Sequence, residues 1–266
     1  VLAVDFGPVI LYQVIMGQAP FYRLASLMSN PNSLGIVLMF SQISTIYLYK
    51  IKHIKKCQFW FFYFIIIGAL VLTQSRGAMF TSVMMVFLFY LVNSNTVLEK
   101  MRIIFGTFIF FIISYYLIVI NKIGVLKRMT AGLTGREQAW KIILNNVKDN
   151  PFIGAGFGLS GDLVTYDLGI KAHNVYLNVL AEIGVIGFVF FCLFWMFGII
   201  CSFRGIKKYK NDLEKKYTYL IIFVILFSLM FHGIIESKLL VYDFVMFFWV
   251  YLVSLATLDF KIMRSG

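Results

Sequence analysis

Residues 134–187 carry the side chains of this chain whose types and spacing suit chemistry. They include Thr134-Gly135-Arg136-Glu137, Pro151-Phe152-Ile153-Gly154-Ala155-Gly156-Phe157-Gly158, His173-Asn174 and Glu182-Ile183-Gly184-Val185-Ile186-Gly187. An imidazole titrates near neutral pH, so His173 can take up or give a proton there. A guanidinium stays charged and grips phosphate through paired N–H bonds, which suits Arg136 to an anionic group. Gly154, Gly156 and Gly158, at alternate positions, let the backbone bend sharply or come close to a ligand. They are not a dinucleotide fingerprint, because no strand leads into them and no helix opens at the right place. Arg76, in Ser75-Arg76-Gly77-Ala78 between two apolar runs, is a second cation of interest. An arginine at mid-membrane costs about 2.5–3.5 kcal/mol, less near the surface where it snorkels. Each group also has a plainer reading: a tight outer turn for Arg76, a connecting turn for the glycines, a helix-end role for His173.

Membrane helices must position these groups. The 266-residue chain is 61% hydrophobic and 14% charged, against about 25% charged in a typical soluble domain. Its mean hydropathy is +0.86. Apolar runs of about 16–25 residues recur, the length that crosses a hydrocarbon core about 30 Å thick. The fold class expected is all-α: a polytopic membrane helix bundle, read as a single membrane domain over residues 1–266. Spans are expected near residues 33–49, 58–75, 77–93, 103–121, 174–201, 217–235 and 240–258, with residues 1–16 as a short form or remnant of another. The chain opens on Val1 and enters an apolar segment at once, which reads as a chain missing N-terminal helices. No basic stretch precedes that segment, so a signal peptide is not expected.

Basic residues orient the bundle. Lys50, Lys52, Lys55 and Lys56, then Lys100 and Arg102, then the cluster from Arg204 to Lys216, then Lys261 and Arg264 fall on one side, taken as cytoplasmic. The opposite short loops hold Arg23, Arg76 and Lys238. Residues 122–172 are then a long outer loop that is itself basic. The net charge of +12 fits cytoplasmic flanks facing anionic lipid, and no nucleic-acid motif is present. Cys57, Cys192 and Cys201 have neither metal-ligand nor disulfide spacing and read as small apolar filler. Within the outer loop, Thr134 and Glu137 have the form of a helix capping box. Trp140, Ile143, Leu144 and Val147 follow on one helical face, and Asp149-Asn150-Pro151 ends the run. An amphipathic helix along the membrane surface is expected there, with Arg136 in its first turn, where the helix dipole favours an anion.

Taken in order, Asn30-Pro31-Asn32, Ser75-Arg76-Gly77-Ala78, Gly135-Arg136 with Trp140, residues 151–158, His173-Asn174 and residues 182–187 resemble the O-antigen ligase and O-antigen polymerase family of bacterial envelopes. The resemblance runs from about residue 25 to 235. It implies a multi-pass glycosyltransferase of the cytoplasmic (inner) membrane of a bacterium, acting on the outer face. The donor implied is an oligosaccharide on undecaprenyl diphosphate, and the acceptor a glycan or lipid. A chain-length regulator or a flippase are the partners it brings with it. On this reading the outer loop, residues 122–172, is catalytic. Arg76 and Arg136 would meet the diphosphate without a metal or other cofactor, and His173 would act as base in an inverting displacement. Asn174, Gly154, Gly156, Gly158 and Asn32 would contact substrate. Glu182, His232 and Glu236 stand in reserve: Glu182 is assigned to packing or a polar partner in the bundle, and Glu236 to a pairing with Lys238. Polymerase is slightly preferred over ligase, which would pass the glycan to a lipid or protein. The alternative of another class is a transporter or flippase for a lipid-linked solute.

Overall fold

The computed structural model describes residues 2–5, 10–16, 21–26, 30–121, 136–159 and 173–236. The span expected at 240–258, Lys238, and the parts of the outer loop at 122–135 (Thr134 included) and 160–172 lie outside the described residues.

Helices occupy the first six expected spans. They are α1 (Pro31–Lys50), α2 (Lys56–Thr73), α3 (Arg76–Asn93), α4 (Val97–Asn121), α5 (Arg136–Asp149), α6 (Val175–Lys208) and α7 (Leu213–Ile235), α5 being the amphipathic helix of the outer loop. Of these, α2, α3, α6 and α7 are each long and apolar enough to cross a membrane. Together they make the chain a helical multi-pass membrane protein. The described residues among 1–16 are strand, not the short helix expected there. Strands β1 (Leu2–Asp5), β2 (Ile10–Met16) and β3 (Phe21–Ser26) form an antiparallel sheet in that order, pairing Leu2 with Gln13 and Val14 with Arg23. The described strands run to at most seven residues, far short of the ~20 a helix needs to span.

The described chain forms two compact units. The first comprises the sheet, α1 to α4 and the start of α7. Its centre is α1, which packs on α2, α3 and β3. Asn30 caps α1 by accepting from the Asn32 amide at 2.8 Å, with Pro31 in the first turn. Gly35 lets α1 press on α3, for a Cβ there would sit 2.6 Å from that of Ala78. Arg23, 6% exposed, ties the outer ends together: Nε donates to the Thr73 carbonyl at 2.9 Å and Nη2 to Asn32 Oδ1 at 2.8 Å. The sequence marked Arg23 only as an outer-loop charge. At the other end, Tyr47 and Thr218 hydroxyls bond at 3.0 Å and Phe89 stacks on Tyr217.

The second unit holds α5, the glycine-rich turn, α6 and the last turns of α7. Here α6 differs from expectation. It is not one continuous span but breaks at Gly184, with φ 65° and ψ −171°. A broken helix leaves carbonyls on one side and N–H groups on the other without partners. Residues 151–156 supply them. Ala155 and Gly156 donate to the carbonyls of Ala181 (2.8 Å) and Glu182 (2.9 Å); Val185 and Ile186 donate to those of Pro151 (2.8 Å) and Phe152 (3.3 Å). Such close backbone contact admits no side chain. A Cβ on Gly154 would lie 2.5 Å from the Glu182 carbonyl group, and one on Gly184 would strike the Phe152 carbonyl.

Gly154 and Gly158 both have positive φ, but a Cβ on Gly158 meets nothing within 4 Å. Gly158→Ala is therefore expected to cost about 1 kcal/mol, from backbone conformation alone. Gly154→Ala is expected to cost more than about 2 kcal/mol, because the join must open as well. Thermal unfolding of the two variants in detergent checks the order.

Candidate active site

Three helix ends converge in the second unit. Helix α5 begins at Arg136 because its apolar face has somewhere to go: Ala139 and Ile143 are fully buried against Ala181 of α6, with Trp140, Ile142, Val147 and Leu177 around them. The buried stripe is thus rotated from the expected one. Ala139 and Ile142 turn inward, while Leu144 is 44% exposed. The helix ends at Asp149, as Asp149-Asn150-Pro151 suggested.

Helix α6 begins after His173-Asn174. Asn174, 9% exposed, caps it, accepting from the Leu177 amide at 3.1 Å. His173 precedes the cap at φ 51°, a left-handed conformation in which histidine is enriched but which still carries strain. The end of α7 is drawn against this turn. Tyr176 donates its hydroxyl to the Met230 carbonyl at 2.7 Å, and Gly233 faces Val175, its absent Cβ only 3.4 Å away. Arg136 closes the third side, donating from Nη1 to the Ile235 carbonyl at 2.8 Å. That contact satisfies one of the carbonyls a helix C-terminus leaves open.

The result is an imidazole–carboxylate pair: His173 Nδ1 lies 2.7 Å from Glu236 Oε1. The pair is one-sided in exposure, with side chains 29% and 6% exposed respectively. Glu236 is held from behind by its own amide, which donates to the His232 carbonyl at 2.9 Å. Burial by itself would raise the Glu236 carboxyl. The hydrogen bond and charge of His173, with His232 and Arg136 adding to them, outweigh burial and hold it below the usual 4.5. An ionised Glu236 accepts from Nδ1–H, which fixes the tautomer and leaves Nε2 as the ring's acceptor.

The expected pairing of Glu236 with Lys238 falls outside the described residues; within them, the carboxylate meets the imidazole. Glu236 partners His173, 63 residues away, whereas proximity along the chain had favoured the nearby lysine. Of the residues the sequence singled out, Arg136, His173, Asn174, His232 and Glu236 come together here. Glu182 is buried two residues before the Gly184 break, and its carbonyl receives Gly156. Gly154 and Gly156 build the join, and Gly158 is exposed beyond it. Arg76, the half-buried first residue of α3, and Asn32, which accepts from Arg23, belong to the other unit.

Comparison with known proteins bears on this constellation. The O-antigen ligase family pattern matches residues 61–192, from α2 into α6. Those residues form a domain of that family. The matched stretch holds Arg76, Arg136, the glycine turn and His173, and stops before Glu236. A similar relative is the ComP-specific O-oligosaccharyltransferase of Acinetobacter baylyi, 27% identical over 209 residues. The alignment takes in 72% of this chain and 37% of the relative, so the chain spans well under half of that protein's length.

Two measurements separate roles within this candidate site. Asn174→Ala is expected to lose about 1 kcal/mol of stability, the usual value of an N-cap, read as a lowered unfolding midpoint. For Glu236, a folded-state pKa below 4.5 means its stabilisation is fully present above that value and is lost as pH falls through the lower folded one. The stability advantage of the wild type over Glu236→Gln should hold at neutral pH and shrink once the pH is taken below 4.5, in a pH series of unfolding midpoints.

Proposed function

We propose that the chain belongs to an enzyme that transfers an oligosaccharide from a lipid diphosphate to a hydroxyl acceptor, at the outer face of the bacterial cytoplasmic membrane. The observation that carries this reading is the His173–Glu236 pair at 2.7 Å beside Arg136. Glu236 holds Nδ1–H, and Nε2 takes the proton of the acceptor hydroxyl. The acceptor oxygen attacks the anomeric carbon as the bond from that carbon to the diphosphate oxygen breaks, inverting the centre. The electron pair leaves with undecaprenyl diphosphate, and its growing charge is met by Arg136 at the N-terminal end of α5. A guanidinium carries this role rather than a metal, because Glu236, the carboxylate of the site, is committed to His173.

The likeness to an O-antigen ligase pattern and to an O-oligosaccharyltransferase favours transfer to a separate acceptor over polymerisation of repeat units, the preference drawn from sequence. The test uses purified protein, an undecaprenyl-diphosphate oligosaccharide, chelator, and a glycan, lipid or protein acceptor supplied in turn. His173→Ala and Arg136→Ala are each expected to lower turnover by about 10²–10⁴-fold. Glu236→Gln should lower kcat by about 10–10²-fold with KM little changed, since it acts through His173. Glycan lengthening without an added acceptor would instead establish a polymerase. Unchanged turnover in both alanine variants would remove the site.

A further inference from the structure

The first unit contains a cavity of about 560 Å³ bounded mainly by α2, α3 and α4. That volume lies within the roughly 300–1,000 Å³ of ordinary ligand sites. Most of its wall is aliphatic or aromatic, from Ile67 and Val71 on α2 to Ile103 and Phe110 on α4. On α3 it runs from Met79 to Tyr90, twelve residues or about 16 Å of helix. The cavity is therefore long and apolar, the shape of a hydrocarbon chain.

Its two polar places are different in kind. One lies part-way along, where Gln42 donates to the Tyr63 hydroxyl at 3.1 Å and accepts from Ser82 at 2.5 Å. This cluster is satisfied within itself and adds no charge. The other lies at one end, where Arg102 lines the cavity and Lys50 sits 5.5 Å over the ring of Tyr90, itself a wall residue. Two cations thus stand at the mouth of an apolar slot, on the side that the basic loops mark as cytoplasmic. Gly106 widens the slot: it lines the wall, and a Cβ there would meet nothing within 4 Å.

We propose that this cavity holds one acyl chain of an anionic phospholipid from the cytoplasmic leaflet, with its phosphate between Arg102 and Lys50. The charge pattern selects this occupant. A neutral lipid gains nothing from the two cations, and a protein helix, about 10 Å across, has no use for a charged mouth above an acyl-sized slot. Inner-leaflet anionic lipid is drawn to basic side chains at the membrane surface, and a fixed slot converts that attraction into a site. The site is independent of the glycosyl-transfer reading.

The test reconstitutes the full chain in nanodiscs of phosphatidylglycerol and phosphatidylcholine, extracts it in detergent, and counts retained lipid by native mass spectrometry. Wild type is expected to retain phosphatidylglycerol selectively. Arg102→Gln should lower that selectivity about fivefold while total retained lipid changes little. Gly106→Leu, whose Cβ would meet no atom within 4 Å, adds bulk to the slot and should lower retention of both lipids. A photoreactive acyl chain on phosphatidylglycerol should label α3 and α4 in the wild type, a readout that needs no variant. Equal retention of the two lipids by wild type, or labelling confined to the outward faces of α2, would overturn the proposal. So would a cross-link from Gly106→Cys to another protein helix, which would make the occupant protein instead of lipid.

Discussion

Four backbone hydrogen bonds join residues 151–156 to the break in α6, and the placement of the site depends on them. Away from water, a peptide group without a partner costs several kcal/mol, so a helix can be interrupted only where other backbone takes over its bonds. The turn after α5 does this, and in doing so it locks α5 to the first segment of α6. The alternating glycines are therefore mainly a mark of close approach. Gly154 faces the backbone of Glu182 and Ile183, and Gly184 that of Phe152 and Ile153, with no room for even a methyl group. Their spacing was visible in the sequence, but the partner they approach was not.

With that join made, electrostatics arranges the rest. The N-terminal ends of α5 and α6 carry partial positive charge and the C-terminal end of α7 partial negative charge. Arg136 bonds the open carbonyl of Ile235, and the next residue, Glu236, turns to His173. A buried carboxylate that bonds an imidazole and sits near His232 and Arg136 stays ionised despite desolvation. The histidine is thus oriented by a charge supplied from the far end of another helix. Such an arrangement suits a base that must present one particular nitrogen to an incoming hydroxyl.

Much of the fold was legible because hydrocarbon thickness writes itself into run length. Helices stand at 31–50, 76–93 and 213–235 within a few residues of expectation. They overrun it where charge was taken as an end: α4 starts at Val97, ahead of Lys100 and Arg102, and α6 continues to Lys208, because a helix need not stop where the lipid does. The break at Gly184 was hidden, since apolar composition is continuous across it. The strands at the N-terminus were hidden too, as short apolar runs have no clear period. Of the site, Arg136 and His173 were legible by type and place. Their tie to α7 was not, because pairing across 63 and 99 residues leaves no local trace.

The break in α6 also sets a height. Beside it, Phe152 and Ile153 are 67% and 74% exposed, next to Val185 and Ile186 at 43% and 52%, so the join presents a greasy collar suited to lipid. From that collar the first segment of α6, residues 175–183, rises about 13 Å to His173. Rigidly bonded at one end and capped at the other, this segment acts as a spacer of fixed length. The imidazole is held at one level above the collar, and under the proposed reaction a bond tethered to the membrane by a linker much shorter or longer would miss it.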